Sequence, residues 1–152
     1  MKTIYIVRHG ETQWNLECRV QGHQDSPLTE KGIKQAKDLS RSFAINGVNF
    51  DCAYSSPSER ALKTANIIIG ETKVPIHEKD ELKEISFGAW EGKNNQEIKK
   101  QNSVELHNFW NRPGKYKSES FNGESFLQLQ KRAVKIFYGI MKTESSIASA
   151  IN

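Results

Sequence analysis

The stretch Ile4-Tyr5-Ile6-Val7-Arg8-His9-Gly10-Glu11-Thr12-Gln13-Trp14-Asn15 decides the fold. Its first four residues are a short β-branched and aromatic run, the pattern of a buried strand, and the chain turns polar at Arg8. Arg8, His9 and Gly10 therefore stand at a strand's carboxyl end, where open α/β sheets bind their ligands. Neutral imidazole is a nucleophile near pH 7, guanidinium is a permanently charged fork that matches phosphate oxygens, and glycine lets the backbone approach an anion. Together the three suggest covalent phosphoryl transfer through a phosphohistidine. Taken alone, the triplet also reads as a structural histidine closing a strand.

Three further stretches follow in order: QGHQDSPLTEKG from Gln21, YSSPSERALKTA from Tyr54 and LKEISFGAWEG from Leu82. With IVRHGETQWN, they resemble the histidine phosphatase superfamily, which holds the cofactor-dependent phosphoglycerate mutases and many small phosphomonoesterases. The resemblance runs from Ile4 to about the helix after Gly123. It implies a three-layer α/β/α sandwich with a mostly parallel sheet, formed by a single domain over residues 1–152. It also implies that His9 is the nucleophile and that Arg8, Asn15 and Arg60 hold the phosphoryl oxygens. The resemblance further implies that Gln21 and Gly22 bind substrate from the loop at its lip and that Glu84 is the proton donor. By the same resemblance, residues about 93–122 are expected to form a short lid insertion. Long insertions accompany the mutases, so this one leans toward a phosphatase.

Read as residues, several of these positions keep a second meaning. Asn15 is equally a turn residue capping its own backbone. His23, in the same loop as Gly22, either borders the site or is an exposed loop residue. Thr29 is a good N-cap for a helix to about Asn46, with Ile33, Ala36, Leu39 and Phe43 on one face and Gly47 as its stop. Phe50–Ser55 reads as a second strand. Ser56-Pro57-Ser58-Glu59 then fits a capping box with proline at the first helical position, which puts Arg60 in the first turn. Amide donors there and the Arg60 head can converge on one anion.

A further strand fits between Val74 and Asp80. Glu84 suits a shielded carboxyl whose raised pKa lets it serve as acid and then as base, with Glu81 and Glu91 as near alternatives. Short helices fit Asn95–Trp110, and a loop fits Arg112–Asn122. Trp110, Tyr116 and Phe121 either line the lid or belong to the core. A last helix opens at Gly123-Glu124-Ser125 and reaches about Thr143.

The chain has 152 residues, 26% of them charged, and a formal charge of +4. That length suits one domain able to bury its own core. The positive charge is scattered and favours anionic substrates, and no basic stripe with stacking aromatics points to nucleic acid. Cys18 and Cys52 stand in unrelated contexts and read as reduced thiols, which fits a cytoplasmic protein. No run approaches membrane-spanning length, and no signal peptide precedes Arg8. The expected ligand is a small-molecule phosphomonoester. Two guanidinium groups supply the positive charge, so neither metal nor cofactor is expected.

The chain departs from the family after the last helix. There the pattern calls for another buried strand ending in a second His-Gly, whereas the sequence reads KTESSIASAIN and has no histidine after His107. Loss of such a phosphate contact typically costs about 100- to 1,000-fold in rate. The expectation from this stretch is a sheet lacking its central strand, in a truncated family member. Two functions follow: a phosphatase acting through phosphohistidine, or a catalytically impaired phosphate-binding or interaction protein.

Overall fold

The computed structural model describes residues 3–143 and 147–150. The first strand, β1 (Ile4–Val7), leads through a one-turn helix, α1 (Gln13–Leu16), to α2 (Glu30–Ile45). Thr29 caps α2 by accepting from the Gly32 amide at 3.0 Å, and Gly47 leaves the far end at φ +65°. The sequence places both ends of this helix correctly. Gly10 and Gly32 meet back to back, where a Cβ on Gly10 would lie 2.4 Å from the Gly32 carbonyl oxygen. Only glycine lets the loop after β1 press this closely on the start of α2.

The chain continues through β2 (Ala53–Ser55), α3 (Glu59–Ile69) and β3 (Ile76–Glu78), and then through 3-10 turns at Asp80–Leu82 and Gly88–Trp90. Next come α4 (Asn95–Asn111), 3-10 turns at Pro113–Lys115 and Glu119–Phe121, α5 (Phe126–Thr143) and β4 (Ile147–Ala150). The sheet is parallel in the order β1-β4-β2-β3. Helices cover both faces. Tyr5 packs edge-on against Phe43 of α2 and against Phe50, while Ile4, Cys52 and Tyr54 meet Ile136 and Ile140 of α5. A second apolar cluster gathers Ile85, Phe87, Trp90, Ile98, Tyr116 and Phe121 beneath α4.

Four details correct the sequence reading. A central strand is present: β4 pairs with β1 on one side and β2 on the other. Parallel pairing is made by backbone groups, so a short Ile-Ala-Ser-Ala run forms it without the alternating pattern that would have announced it. Among the described residues, no histidine stands at the carboxyl end of β4.

The capping box is also displaced, because α3 begins at Glu59 with Ser58 as N-cap and Pro57 outside. The Ser58 side chain makes no cap hydrogen bond, and Asp25 from a distant loop accepts from the Glu59 amide instead. The short helices expected before Trp110 are one helix, α4, kinked at Asn102 (φ −138°, ψ 44°). Finally, α1 stands inside a stretch read as loop, where the Thr12 and Asn15 side chains cap each other's backbone amides.

Candidate active site

The carboxyl ends of β1 and β2 flank β4 and open on the same edge of the sheet. His9 leaves β1 there, and Arg60 sits in the first turn of α3, one short loop after β2. The two elements are tied by Thr64, whose hydroxyl accepts from the Gly10 amide at 3.1 Å and donates to the Arg60 carbonyl at 2.7 Å.

His9 is buried, with Nδ1 2.7 Å from the Gly10 carbonyl oxygen. A carbonyl only accepts, so Nδ1 carries the proton and the free lone pair is on Nε2. Burial lowers the His9 pKa against the raising effect of the Gly10 carbonyl contact, and the Arg60 and Arg8 charges push it down as well, which favours the neutral ring.

Arg60 is fully buried. Its terminal nitrogens donate to the carbonyls of Gly22 (2.9 Å) and Gln24 (2.7 Å), to Asp25 (2.9 Å) and to Glu84 Oε2 (3.3 Å). Its Nε–H has no partner among the described residues. An unpaired buried donor typically costs about 1–3 kcal/mol. Burial raises the Glu84 pKa against the opposing pull of Arg60 and Arg8, and the neighbouring Glu91 adds to the rise.

Arg8 is exposed and makes no ion pair among the described residues. Together with Asn15, Gln21 and Glu84 it lines a cavity of about 320 Å³, whose other wall is apolar: Ile85, Phe87, Leu106, Phe109 and Trp110. Of the three aromatics with an open reading, Trp110 lines this cavity, while Tyr116 and Phe121 are core residues packed on Trp90.

The remaining expected residues divide between surface and framework. Asn15 Oδ1 accepts from the Thr12 amide at 3.0 Å, so half of its amide group serves the local cap. Gln21 is buried, its Oε1 accepting from the Thr12 and Ser26 hydroxyls. Gly22 lies outside the cavity wall and supports Arg60 through its carbonyl. A Cβ on Gly22 would lie 2.4 Å from Glu91 Oε1. Glu91 is itself committed, accepting from the amides of His23, Gln24 and Phe87 at 2.9–3.1 Å.

Asp25, Glu124 and Arg132 belong to the site framework, a role no sequence motif announces. Asp25 pairs with Arg60 and caps α3, while Arg132 and Glu124 hold the loop that carries Glu84. No local signal marks these roles, since the groups they hold, Arg60, the Glu59 amide and the Glu84 segment, lie 34 or more residues away. Among the described residues, no cluster of three or more His, Cys, Asp or Glu side chains is arranged to hold a metal, and no helix is long and apolar enough to cross a membrane. Cys18 and Cys52 are not bridged.

Comparison with known proteins identifies a family. The family model of the histidine phosphatase superfamily (branch 1) matches residues 4–149. The adenosylcobalamin/α-ribazole phosphatase of Escherichia coli K12 is 33% identical over 129 residues, which are 85% of this chain and 62% of that protein. The chain thus spans less than two thirds of that relative's length. The structure of Bacillus stearothermophilus YhfR superposes with a TM-score of 0.93 at 38% identity, covering 100% of this chain and 74% of the other. Phosphoserine phosphatase of Entamoeba histolytica, in complex with phosphoserine, superposes at 0.81 with 30% identity, covering 100% and 74%. These matches do not favour a phosphate-binding protein without turnover.

Proposed function

Because this chain belongs to the histidine phosphatase superfamily, branch 1, we propose that it hydrolyses a small-molecule phosphomonoester through a phosphohistidine on His9. The observation that carries the reading is the placement of His9, buried at the end of β1 with Nδ1 held 2.7 Å from the Gly10 carbonyl, Nε2 left for attack, and two guanidinium groups near enough to lower its pKa together with burial. In the first step the Nε2 lone pair forms a bond to phosphorus as the ester P–O bond breaks. The departing oxygen takes the proton of Glu84. Arg8, Arg60 and the Asn15 amide hold the phosphoryl oxygens. In the second step Glu84, now a carboxylate, takes a proton from water as the water oxygen bonds to phosphorus. The N–P bond breaks, its electron pair returns to Nε2, and phosphate leaves.

The cavity beside Arg8 and Glu84 receives the rest of the ester. Its wall is mainly apolar, and its other cation, Arg19, is occupied by Glu17 (2.7 Å) and the Gly92 carbonyl (2.6 Å). That balance favours an uncharged, partly apolar alcohol as leaving group. The E. coli relative's name points to α-ribazole phosphate and the Entamoeba structure to phosphoserine, and the cavity chemistry is nearer to the first.

Hydrolysis of an aryl phosphate by the purified chain without added metal, beside His9→Ala, tests the proposal. Turnover that disappears with His9 supports it. A folded chain without turnover overturns it.

A further inference from the structure

The segment that carries Glu84 belongs to no sheet or helix and runs between two 3-10 turns. Its main chain is held by one side chain of α5. Arg132 engages all five of its N–H donors. Nε and one Nη2 hydrogen bind the two Glu124 carboxylate oxygens, each at 2.6 Å. Nη1 donates to the carbonyls of Glu81 (2.9 Å) and Lys83 (2.6 Å), and the remaining Nη2 hydrogen donates to the carbonyl of Glu84 itself (2.8 Å). Only arginine presents five donors in a rigid planar fork, so no other residue satisfies this set.

Glu124 completes the frame by accepting from the Ser86 amide at 3.3 Å and donating its own amide to the Ser86 carbonyl at 2.7 Å. His23 reaches the same Glu84 carbonyl through Nε2 at 3.1 Å. The main chain at Glu84 is thus fixed at its own carbonyl, on the residue before it and two residues beyond it. The Glu84 carboxylate extends from that fixed point to Arg60.

We propose that Arg132 is a positioning residue for proton transfer: through the Glu84 carbonyl it sets where the Glu84 carboxyl meets the leaving oxygen, with His23 as a second, weaker contact. The inference rests on Glu84 being the acid of the proposed reaction. Its signature is dependence on the leaving group. A 4-nitrophenolate departs without a proton, whereas an alkoxide does not, so a misplaced acid slows alkyl esters selectively. A fold merely loosened by the substitution slows both esters alike.

The test compares kcat/KM for 4-nitrophenyl phosphate and n-butyl phosphate in the full chain, Arg132→Lys and Glu84→Gln, with circular dichroism confirming that each is folded. Arg132→Lys is expected to lower the alkyl ester's kcat/KM on the order of 100-fold, the scale of an ångström's misplacement, and the aryl ester's only a few-fold. An equal loss on both esters, with Glu84→Gln selective, overturns the positioning role and leaves the acid in place. Unselective Glu84→Gln refutes the acid assignment, and the inference falls with it. Should Arg132→Lys not fold, His23→Ala carries the test: His23 is exposed, and its loss is expected to slow the alkyl ester selectively by a smaller factor. An unselective or absent effect there contradicts the inference.

Discussion

The two halves of this site are built differently. His9 and Arg60 stand at strand ends, one directly after β1 and the other in the helix after β2, so the sheet fixes their spacing. Glu84 stands in an irregular segment, and side chains distant in sequence fix it: Arg132 and Glu124 from α5 and its entry, and Arg60 at its carboxylate. A group placed by a sheet inherits precision from the fold, whereas a group on a loop needs a dedicated hydrogen-bonded frame. Both halves converge on Arg60, which donates to Glu84 and lowers the pKa of His9.

The largest separation of the halves comes from His9→Ala, which removes the covalent route for every ester. Steady-state turnover is expected to fall to background, roughly 10⁶-fold or more. Glu84→Gln comes next, with kcat/KM for alkyl phosphates falling about 10²- to 10⁴-fold, the usual contribution of general acid–base catalysis. The pH profile sharpens the same contrast. The His9 pKa is lowered from 6.5 and the Glu84 pKa raised from 4.5, so the two titrations approach each other. After correction for the substrate's own ionisation, kcat/KM is expected to trace a bell with an acidic maximum, because activity needs His9 neutral and Glu84 protonated. In Glu84→Gln the alkaline fall should vanish, leaving a rise to a plateau as His9 loses its proton.

Stability changes follow. Trp90 is buried, stacked on Phe121 at 4.1 Å and bonded through Nε1 to Asn102 at 3.1 Å. Trp90→Ala is expected to cost about 3–5 kcal/mol in chemical denaturation, acting on the cluster under the Glu84 half. The smallest effect is on the strand-end half. Asp25→Asn weakens the pairing with Arg60 and the cap on α3, for about 1.5–3 kcal/mol. Because Gly22, Gln24 and Glu84 still hold Arg60, phosphate inhibition should persist in that variant, as competition assays would show.

What the sequence made legible follows the same division. The turn to polarity at Arg8, the Thr29 cap and the Gly47 stop are local signals, and each element they announce is present. The cap of α3 was misread because a serine and a proline fit the local pattern, while the acceptor that completes it, Asp25, lies 34 residues away. Arg132 is silent for the same reason: its carbonyl partners lie 48 to 51 residues earlier. The central strand escaped notice because backbone pairing, rather than a side-chain pattern, defines it. Tyr116 and Phe121 could not be sorted from Trp110 by spacing alone, since only packing separates a core aromatic from one facing a cavity.

The central claim is covalent transfer through His9, and trapping the intermediate tests it most directly. Rapid acid-free quenching of the chain with an aryl phosphate, followed by mass spectrometry of the peptide containing His9, is expected to find a phosphoryl group on that imidazole, acid-labile and base-stable. It should be absent from His9→Ala. Turnover that proceeds in His9→Ala, or that leaves His9 unmodified at every quench time, would contradict the account.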